Sequence, residues 1–245
     1  MRNIKLTVEY DGTDHAGWQV QKNAHSIQHF IEKALNKITQ QEVGVISSGR
    51  TDSGVHAKAQ VANFKSCTKL SCESLLKALN SNLPPDIAVK KVEDVPLSFH
   101  SRFSAKSKLY RYTILNSRIH SPLVGRFVYQ VPYKLDVDAM KKAARHMRGR
   151  QDFKSFQAKD KIERPSVCEV KSLSISKKGD LIYIDIEASG FLYKMVRNIV
   201  GTLIEVGRGR IDHKDIKKII SACDRKVSGP TVPPQGLCLL EVRYD

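Results

Sequence analysis

The fold is decided by the stretch Val170-Lys-Ser-Leu-Ser-Ile-Ser-Lys-Lys-Gly-Asp-Leu-Ile-Tyr-Ile-Asp-Ile-Glu-Ala188. Ile182, Ile184 and Ile186 recur at every second position, so they share one face of a strand. The dipeptide Lys178-Gly179 is a turn signal that separates this strand from the preceding one. Two strands joined by so short a turn run antiparallel, and the stretch therefore predicts a hairpin.

Strands and helices alternate on both sides of this hairpin. Asp136 is a predicted helix N-cap, and Ser26 and Ser71 are predicted to cap two earlier helices. Pro84 and Pro85 prevent the Ser71-capped helix from continuing. The other predicted strands cover residues 4–10, 43–47, 61–64, 87–92, 109–115, 127–131 and 237–244. The later predicted helices cover residues 136–147, 191–206 and 212–223.

These elements predict an α+β fold with two similar domains, residues 1–104 and residues 105–245. Each domain is expected to be a mainly antiparallel sheet with helices packed on one face. We expect the two sheets to flank a central basic cleft, because a cleft of this kind accommodates a long ligand.

Charge indicates the kind of partner. The chain has 41 Lys and Arg residues against 25 Asp and Glu residues, which leaves a formal net charge of +16. Such an excess attracts a polyanion such as RNA, although it also promotes solubility. A membrane partner is not expected, because no long basic helix with an aromatic apolar face is present.

Cysteine usage and missing motifs narrow the function further. The five cysteines are irregularly spaced and form no Cys-x-x-Cys pair, which is typical of free thiols in a reducing compartment. No apolar signal region begins the chain, and we expect a cytoplasmic protein. No metal and no cofactor are expected, because phosphate-binding loops, dinucleotide fingerprints and His/Cys clusters are missing.

A turn between two predicted strands carries Arg50-Thr51-Asp52-Ser53-Gly54. Asp52 can be an ordinary turn residue, since Asp is common in turns. Alternatively it is a chemically active carboxylate, which the nearby Arg50 would keep ionised. His56 could form a pair with it, but no nucleophile elbow accompanies them, so a hydrolytic triad is weakly supported.

Two other segments are candidates for contacts with RNA or with the carboxylate. Residues 99–112 interleave aromatic and basic side chains, which suits base stacking and phosphate binding or a solvated strand face. Lys194, Arg197, Asn198 and Gly201 fall on one stripe of a predicted helix, which can simply face solvent. If Arg197 points into a cleft instead, it needs a carboxylate partner, and Asp52 would supply one.

Together these segments resemble the tRNA pseudouridine synthase A (TruA-type) family. The most specific block is Ser48-Gly-Arg-Thr-Asp-Ser-Gly-Val-His-Ala57. The other matching blocks are residues 8–12, 17–21, 99–105, 110–112, 152–156, 190–202, 222–225, 229–231 and 236–239. The resemblance thus spans almost the whole chain. It implies a homodimer that isomerises uridine to pseudouridine in the anticodon stem-loop of tRNA, at positions 38–40, without a cofactor.

The resemblance also implies roles for individual residues. Asp52 matches the essential carboxylate, acting as a nucleophile or as a base. Tyr110 matches the tyrosine that stacks on the uracil, Arg197 the partner of the carboxylate, and Arg50 an arginine that handles the flipped nucleotide. The remaining substrate contacts that it implies are His100, Arg102, Phe103 and Ser104, together with a segment at residues 157–164.

Two other function classes compete with this interpretation. A non-catalytic RNA-binding module would be expected to have lost Asp52, Tyr110 or Arg197, yet all three are present. A glycoside or nucleoside hydrolase usually needs two carboxylates beside the bond that it cleaves. No second acidic residue lies near Asp52 in sequence, although a distant one could fold beside it.

Overall fold

The computed structural model describes residues 1–21, 25–159 and 165–244. The strands formed by these residues are β1 (Arg2–Tyr10), β2 (Ile46–Ser47), β3 (His56–Ser66), β4 (Ile87–Val95), β5 (Ser107–Leu115), β6 (Tyr129–Gln130), β7 (Gly149–Asp152), β8 (Val167–Lys178), β9 (Leu181–Ala188) and β10 (Leu237–Arg243). The α-helices are α1 (Ile27–Thr39), α2 (Cys72–Asn82), α3 (Val137–His146), α4 (Met195–Gly207) and α5 (Ile216–Ser221). None of the helices in this part of the chain is long and apolar enough to cross a membrane.

The chain divides into two compact units, Met1–Lys106 with Cys238–Asp245, and Ser107–Leu237. The closing strand is predicted in the second domain, whereas the structure pairs it in the first unit. Cys238 and Leu239 of β10 lie parallel to His56 and Ala57 of β3. Strand pairing depends on which sheet edge is available and not on proximity in sequence, which explains the difference.

The first unit is built on a sheet in the order β4-β1-β3-β10, with β2 also paired to β3. Strand β1 runs antiparallel to both β3 and β4 and buries alternate residues, among them Ile4 and Leu6. The predicted caps are confirmed: the hydroxyl of Ser26 accepts from the N–H of His29, and that of Ser71 from the N–H of Ser74. Each cap satisfies a backbone donor at the start of its helix.

The second unit contains a sheet in the order β5-β9-β8-β7, with the short strand β6 parallel to β5. The predicted hairpin is confirmed as β8 and β9, joined at Gly179 in a left-handed backbone conformation with φ of 57°. Ile182, Ile184 and Ile186 are fully buried on one face of β9. The α+β class predicted from the sequence is therefore confirmed.

Several predicted elements differ from the structure, including the strand predicted at 127–131, of which only Tyr129–Gln130 forms. Of the strand predicted at 43–47, only Ile46–Ser47 forms, and the last predicted helix shortens to Ile216–Ser221. Helix α4 begins at Met195, because Lys194 has a left-handed backbone with φ of 57°. Asn198 and Gly201 of that helix are buried, so the solvent-facing interpretation of their stripe is wrong.

Candidate active site

Asp52 lies in the turn that leads into β3 of the first unit. Its side chain is half-buried, while the neighbouring Arg50 is exposed. The entry to the turn is tied to the strand: the Ser48 hydroxyl donates to Oε1 of Gln60 at 2.6 Å. The side-chain amide of Gln60 in turn donates to the carbonyl of Gly49 at 2.9 Å. A carboxylate is thus presented on a turn whose start is held by a buried side chain.

The residues on both sides of Asp52 are held by the end of β1 and by the loop that follows it. The Tyr10 and Thr51 hydroxyls are 2.8 Å apart, and the N–H of Trp18 donates to the carbonyl of Thr51 at 3.1 Å. On the other side, the Ser53 hydroxyl donates to the carbonyl of His15 at 3.0 Å. Fixing the neighbours of Asp52 in this way keeps the geometry of its carboxylate constant.

Close backbone approach makes glycine necessary at two positions of this loop. Gly17 has φ of 88°, and a Cβ on it would lie 2.6 Å from the carbonyl oxygen of Thr51. A Cβ on Gly12 would overlap the carbonyl oxygen of Val55. Both glycines lie in blocks of the family resemblance, 8–12 and 17–21, but no sequence pattern reveals the close approach that requires them. Their function is to let the loop lie directly against the Asp52 turn.

Burial governs the protonation of Tyr10. It raises the pKa of the Tyr10 hydroxyl well above the ordinary value of 10.0, although hydrogen bonds with Thr51 and Gln60 lower it. The hydroxyl therefore stays protonated at neutral pH and remains a hydrogen-bond donor.

His56, considered in the sequence as a partner of Asp52, is buried at the start of β3. Its Nδ1 accepts from the N–H of Gly12 at 3.0 Å and lies 3.1 Å from Oδ1 of Asp11. This nitrogen of the ring therefore helps to hold the loop that braces the turn.

A second group of predicted residues forms an exposed loop in the same unit. Nδ1 of His100 accepts from the N–H groups of Arg102 and Phe103, at 3.2 and 3.3 Å. The Ser104 hydroxyl accepts from the N–H of His100 at 3.2 Å, and Ser101 between them is fully buried. The Phe103 ring is 77% exposed, 4.3 Å from the His100 ring and 5.6 Å from the Arg102 guanidinium. An exposed ring beside a guanidinium suits base stacking and phosphate binding.

Tyr110 lies on β5 of the second unit. It is 8% exposed. The rings of Tyr110 and Phe191 pack edge to face, with their centroids 5.1 Å apart. The Tyr112 hydroxyl on the same face donates to the carbonyl of Pro233 at 2.7 Å. Burial raises the pKa of Tyr112, and Gly236 leaves no room for a Cβ against its ring.

Arg197 lies near the start of α4 and is half-buried. Its Nε donates to the carbonyl of Val232 at 2.8 Å, and the N–H of Val232 donates to the carbonyl of Arg197 at 3.4 Å. Asp52 belongs to the first unit and Arg197 to the second, and their pairing stays a prediction. The segment predicted at 157–164 falls mostly outside the described residues, which stop at 159 and resume at 165.

Comparison with known proteins finds consistent matches over the whole chain. A family model described as tRNA pseudouridine synthase matches residues 6–104 and 143–245. The tRNA pseudouridine synthase A of Thermoanaerobacter sp. (strain X514) is 48% identical over 244 residues, covering 100% of both chains. The tRNA pseudouridine synthase A 2 of Clostridium perfringens (strain 13 / Type A) is 47% identical, again with 100% coverage of both.

A solved structure with similarity to this chain is the crystal structure of a Cbf5-Nop10-Gar1 complex. The TM-score is 0.39 at 11% sequence identity, over 96% of this chain and 48% of the other. That likeness is weak, and the family match does not depend on it.

Proposed function

The chain belongs to the tRNA pseudouridine synthase family, and from this premise we propose that it modifies the anticodon stem-loop of tRNA with Asp52 as the essential carboxylate. As a family member it is an isomerase that acts on uridine in tRNA. The substrate positions that we propose, 38–40, come from the family resemblance in the sequence.

The observation that carries the proposed role of Asp52 is the bracing of its turn. Hydrogen bonds fix Thr51 and Ser53 on either side, yet the Asp52 side chain is only half-buried. This support suits a reactive carboxylate, because small displacements of a reacting group lower the rate steeply.

The reaction needs no net change of composition. The bond between C1′ of the ribose and N1 of the uracil breaks, the base rotates, and C1′ bonds to C5. The proton on C5 must then leave, and N1 must gain one. Asp52 acts either as the nucleophile, at the sugar or the base, or as the base that removes a proton from the sugar.

One aromatic and two cationic groups complete the proposed chemistry. Tyr110 stacks on the uracil and relays a proton near C5, while Arg197 pairs with the Asp52 carboxylate and keeps it ionised. Arg50, exposed two residues before Asp52, handles the flipped nucleotide. Extrusion of a base from a stem costs a few kcal/mol, which contacts with the RNA must offset.

Those contacts are supplied in part by the loop of residues 100–104. The exposed Phe103 ring can stack on a base, and Arg102 beside it can bind phosphate. The formal net charge of +16 favours association with any tRNA, because binding releases counterions from the phosphates. Shape and phosphate contacts then select the anticodon arm.

We propose in addition that the protein is a cytoplasmic homodimer. All five cysteines are free thiols, which agrees with a reducing compartment. The dimer rests on the family resemblance alone, and sedimentation of the purified protein with and without tRNA tests it.

The test of the function is the mapping of pseudouridine in an anticodon stem-loop incubated with the purified protein. We expect modification at uridines 38–40 and its loss when each is replaced by cytidine. Asp52→Asn should lower the rate about 10³-fold or more, with tRNA affinity within about twofold. Asp180→Asn, an exposed turn carboxylate, is the matched control and should keep the wild-type rate.

Each competing class predicts a different result. A hydrolase would release free uracil, and a non-catalytic module would bind the stem-loop without changing it. Full activity of Asp52→Asn would remove this carboxylate from the mechanism while leaving the reaction itself established.

A further inference from the structure

Three blocks of the resemblance, residues 152–156, 222–225 and 229–231, have no role in the proposed chemistry. The structure brings them together on Asn198, a fully buried residue of α4. Its side-chain amide donates to the carbonyl of Phe156 at 2.7 Å. Its Oδ1 accepts from Nη2 of Arg225 at 3.1 Å and from the hydroxyl of Thr231 at 2.5 Å. One buried amide therefore joins three separate segments of the second unit.

Arg225 extends this network. Its Nη1 donates to the hydroxyl of Ser228 at 2.9 Å, and its Nη2 donates to the hydroxyl of Thr231 at 3.1 Å. Every acceptor that it meets among the described residues is a neutral oxygen. Burial lowers the pKa of Arg225, because desolvation disfavours the charged guanidinium. Four hydrogen bonds, to Ser228, Asn198 and Thr231, fix the geometry of this group.

The segment of residues 228–232, which we call the strap, lies directly against α4. A Cβ on Gly201 of the helix would overlap the carbonyl oxygen of Pro230. A Cβ on Gly229 would come within 2.6 Å of the backbone of Thr202. The N–H of Gly229 also donates to the hydroxyl of Thr202 at 2.9 Å. Backbone-to-backbone contact of this kind leaves the strap little freedom to shift.

The start of the strap, at Ser228, is also held by hydrogen bonds. The Ser228 hydroxyl donates to the carbonyl of Ser155 at 2.6 Å, and the Ser155 hydroxyl donates to the carbonyl of Ile219 at 2.6 Å. The strap is thus attached to α5 as well as to α4. It is held at Ser228, at Gly229 and at Thr231.

The strap in turn holds Arg197. Val232, the residue after Thr231, accepts from Nε of Arg197 at 2.8 Å. Arg197 and Asn198 are adjacent on α4, and Val232 and Thr231 are adjacent on the strap. Each residue of the helix pair contacts one residue of the strap pair. Because Nε lies at the root of the guanidinium, the carbonyl of Val232 sets the direction in which the planar group points.

We infer that Asn198, Arg225 and Thr231 are positioning residues, which act on the isomerisation by fixing the orientation of Arg197 through the strap. This inference rests on the proposed role of Arg197. A displacement of about 1 Å at a catalytic group can lower a rate about 10²-fold. Loss of the network should therefore lower the rate of the chemical step and leave tRNA binding almost unchanged.

The first experiment compares Thr231→Val with Thr231→Ser. Valine keeps the shape but loses the hydroxyl, whereas serine keeps the hydroxyl. In single-turnover assays on an anticodon stem-loop, Thr231→Val should be slower by about tenfold or more, with affinity within about twofold. Thr231→Ser should stay within about threefold of the wild-type rate. A wild-type rate for Thr231→Val would overturn the inference.

A double-mutant cycle separates positioning from general stabilisation. If Thr231 acts through Arg197, then Thr231→Val should cause almost no further loss in an Arg197→Ala background. An undiminished loss in that background would overturn the inference. Ile182→Val, at a fully buried position of β9, is the stability control: it should lower the melting temperature and keep the wild-type rate.

Two further outcomes keep the test decisive. If Thr231→Val does not fold, Arg225→Lys replaces it, since lysine keeps the charge but cannot bridge Ser228 and Thr231. It should show the same slow rate with unchanged affinity, and a wild-type rate would overturn the inference. If the wild-type protein forms no pseudouridine, the proposed function fails instead, and the inference about Arg197 fails with it.

Discussion

The Tyr10 hydroxyl lies 2.8 Å from the Thr51 hydroxyl, one residue before Asp52, and both side chains are buried. The carbonyl of Thr51 is held at the same time by the N–H of Trp18 at 3.1 Å. The turn that carries Asp52 is therefore held by the end of β1 and by the loop that follows it. Substitutions there should change the reaction without touching Asp52.

Tyr10→Phe should lower both stability and rate. The change removes one hydroxyl and no ring atoms, so it leaves the buried Thr51 hydroxyl without this partner. The cost should be about 1–3 kcal/mol of unfolding free energy, measured by urea denaturation. Tyr133→Phe, at a residue 57% exposed, is the control and should denature like the wild type. Equal stability of all three proteins would mean that the Tyr10 hydroxyl does not hold the turn.

Alkaline pH should destabilise the fold through buried tyrosines. Burial raises the pKa of Tyr10 and Tyr112 above the ordinary 10.0, so the unfolded chain releases these protons at a lower pH than the folded one. Their contribution to stability is complete below pH 10 and is lost as the pH rises above it. Each tyrosine should make the unfolding free energy fall more steeply, by about 1.4 kcal/mol per pH unit.

The same titration contains its own control. The unfolding free energy of Tyr10→Phe should fall less steeply with pH, by the equivalent of about one proton, because one buried phenol is missing. Parallel curves for the variant and the wild type between pH 10 and 11 would contradict the assignment.

Gly17→Ala should impair catalysis more than an otherwise similar glycine substitution. Gly17 and Gly149 have nearly equal φ, 88° and 91°, but a Cβ meets the Asp52 turn only at Gly17. Gly149→Ala should cost about 1–2 kcal/mol from backbone strain alone and keep the wild-type rate. Gly17→Ala should cost more and slow pseudouridine formation about tenfold or more, as measured in single-turnover assays. Equal rates for the two variants would show that the close approach is unimportant.

Phe103→Ala should weaken tRNA binding without altering the fold. The ring is 77% exposed, so its removal should leave the melting temperature unchanged. Loss of one stacked base should cost about 1–3 kcal/mol of binding free energy, measured by titration at fixed salt. Leu97→Ala, at a residue 54% exposed, should bind like the wild type. A drop of the same size at Leu97 would argue for a general surface effect.

Local patterns predicted the elements that depend on neighbouring residues. The alternation of Ile182, Ile184 and Ile186 predicted the hairpin, and Ser26 and Ser71 predicted two helix starts, because these signals involve only nearby backbone. The start of α4 was missed, since Lys194 leaves the helical conformation within an unbroken apolar pattern. The stripe of Asn198 and Gly201 was ambiguous, because the strap that buries it comes from a distant part of the chain.

For the same reason, some residues of the candidate site could be predicted from the sequence and the roles of others could not. The family resemblance, which the family match confirms, identified Asp52 through a dense local motif. It could not show what Gly12 and Gly17 are for, because their effect depends on a close approach between two loops. The contacts that hold the Asp52 turn are long-range, and periodicity does not encode them.

The parallel pairing of β10 with β3 affects how the protein is made. Cys238 and Leu239 lie beside His56 and Ala57, where β3 leaves the Asp52 turn. A ribosome adds these two residues long after β3 has left the exit tunnel. Strand β3 therefore lacks its β10 neighbour until synthesis is almost complete. A nascent polypeptide interrupted before β10 would therefore carry the Asp52 turn in an incomplete sheet, and it should be a target for chaperones and proteases.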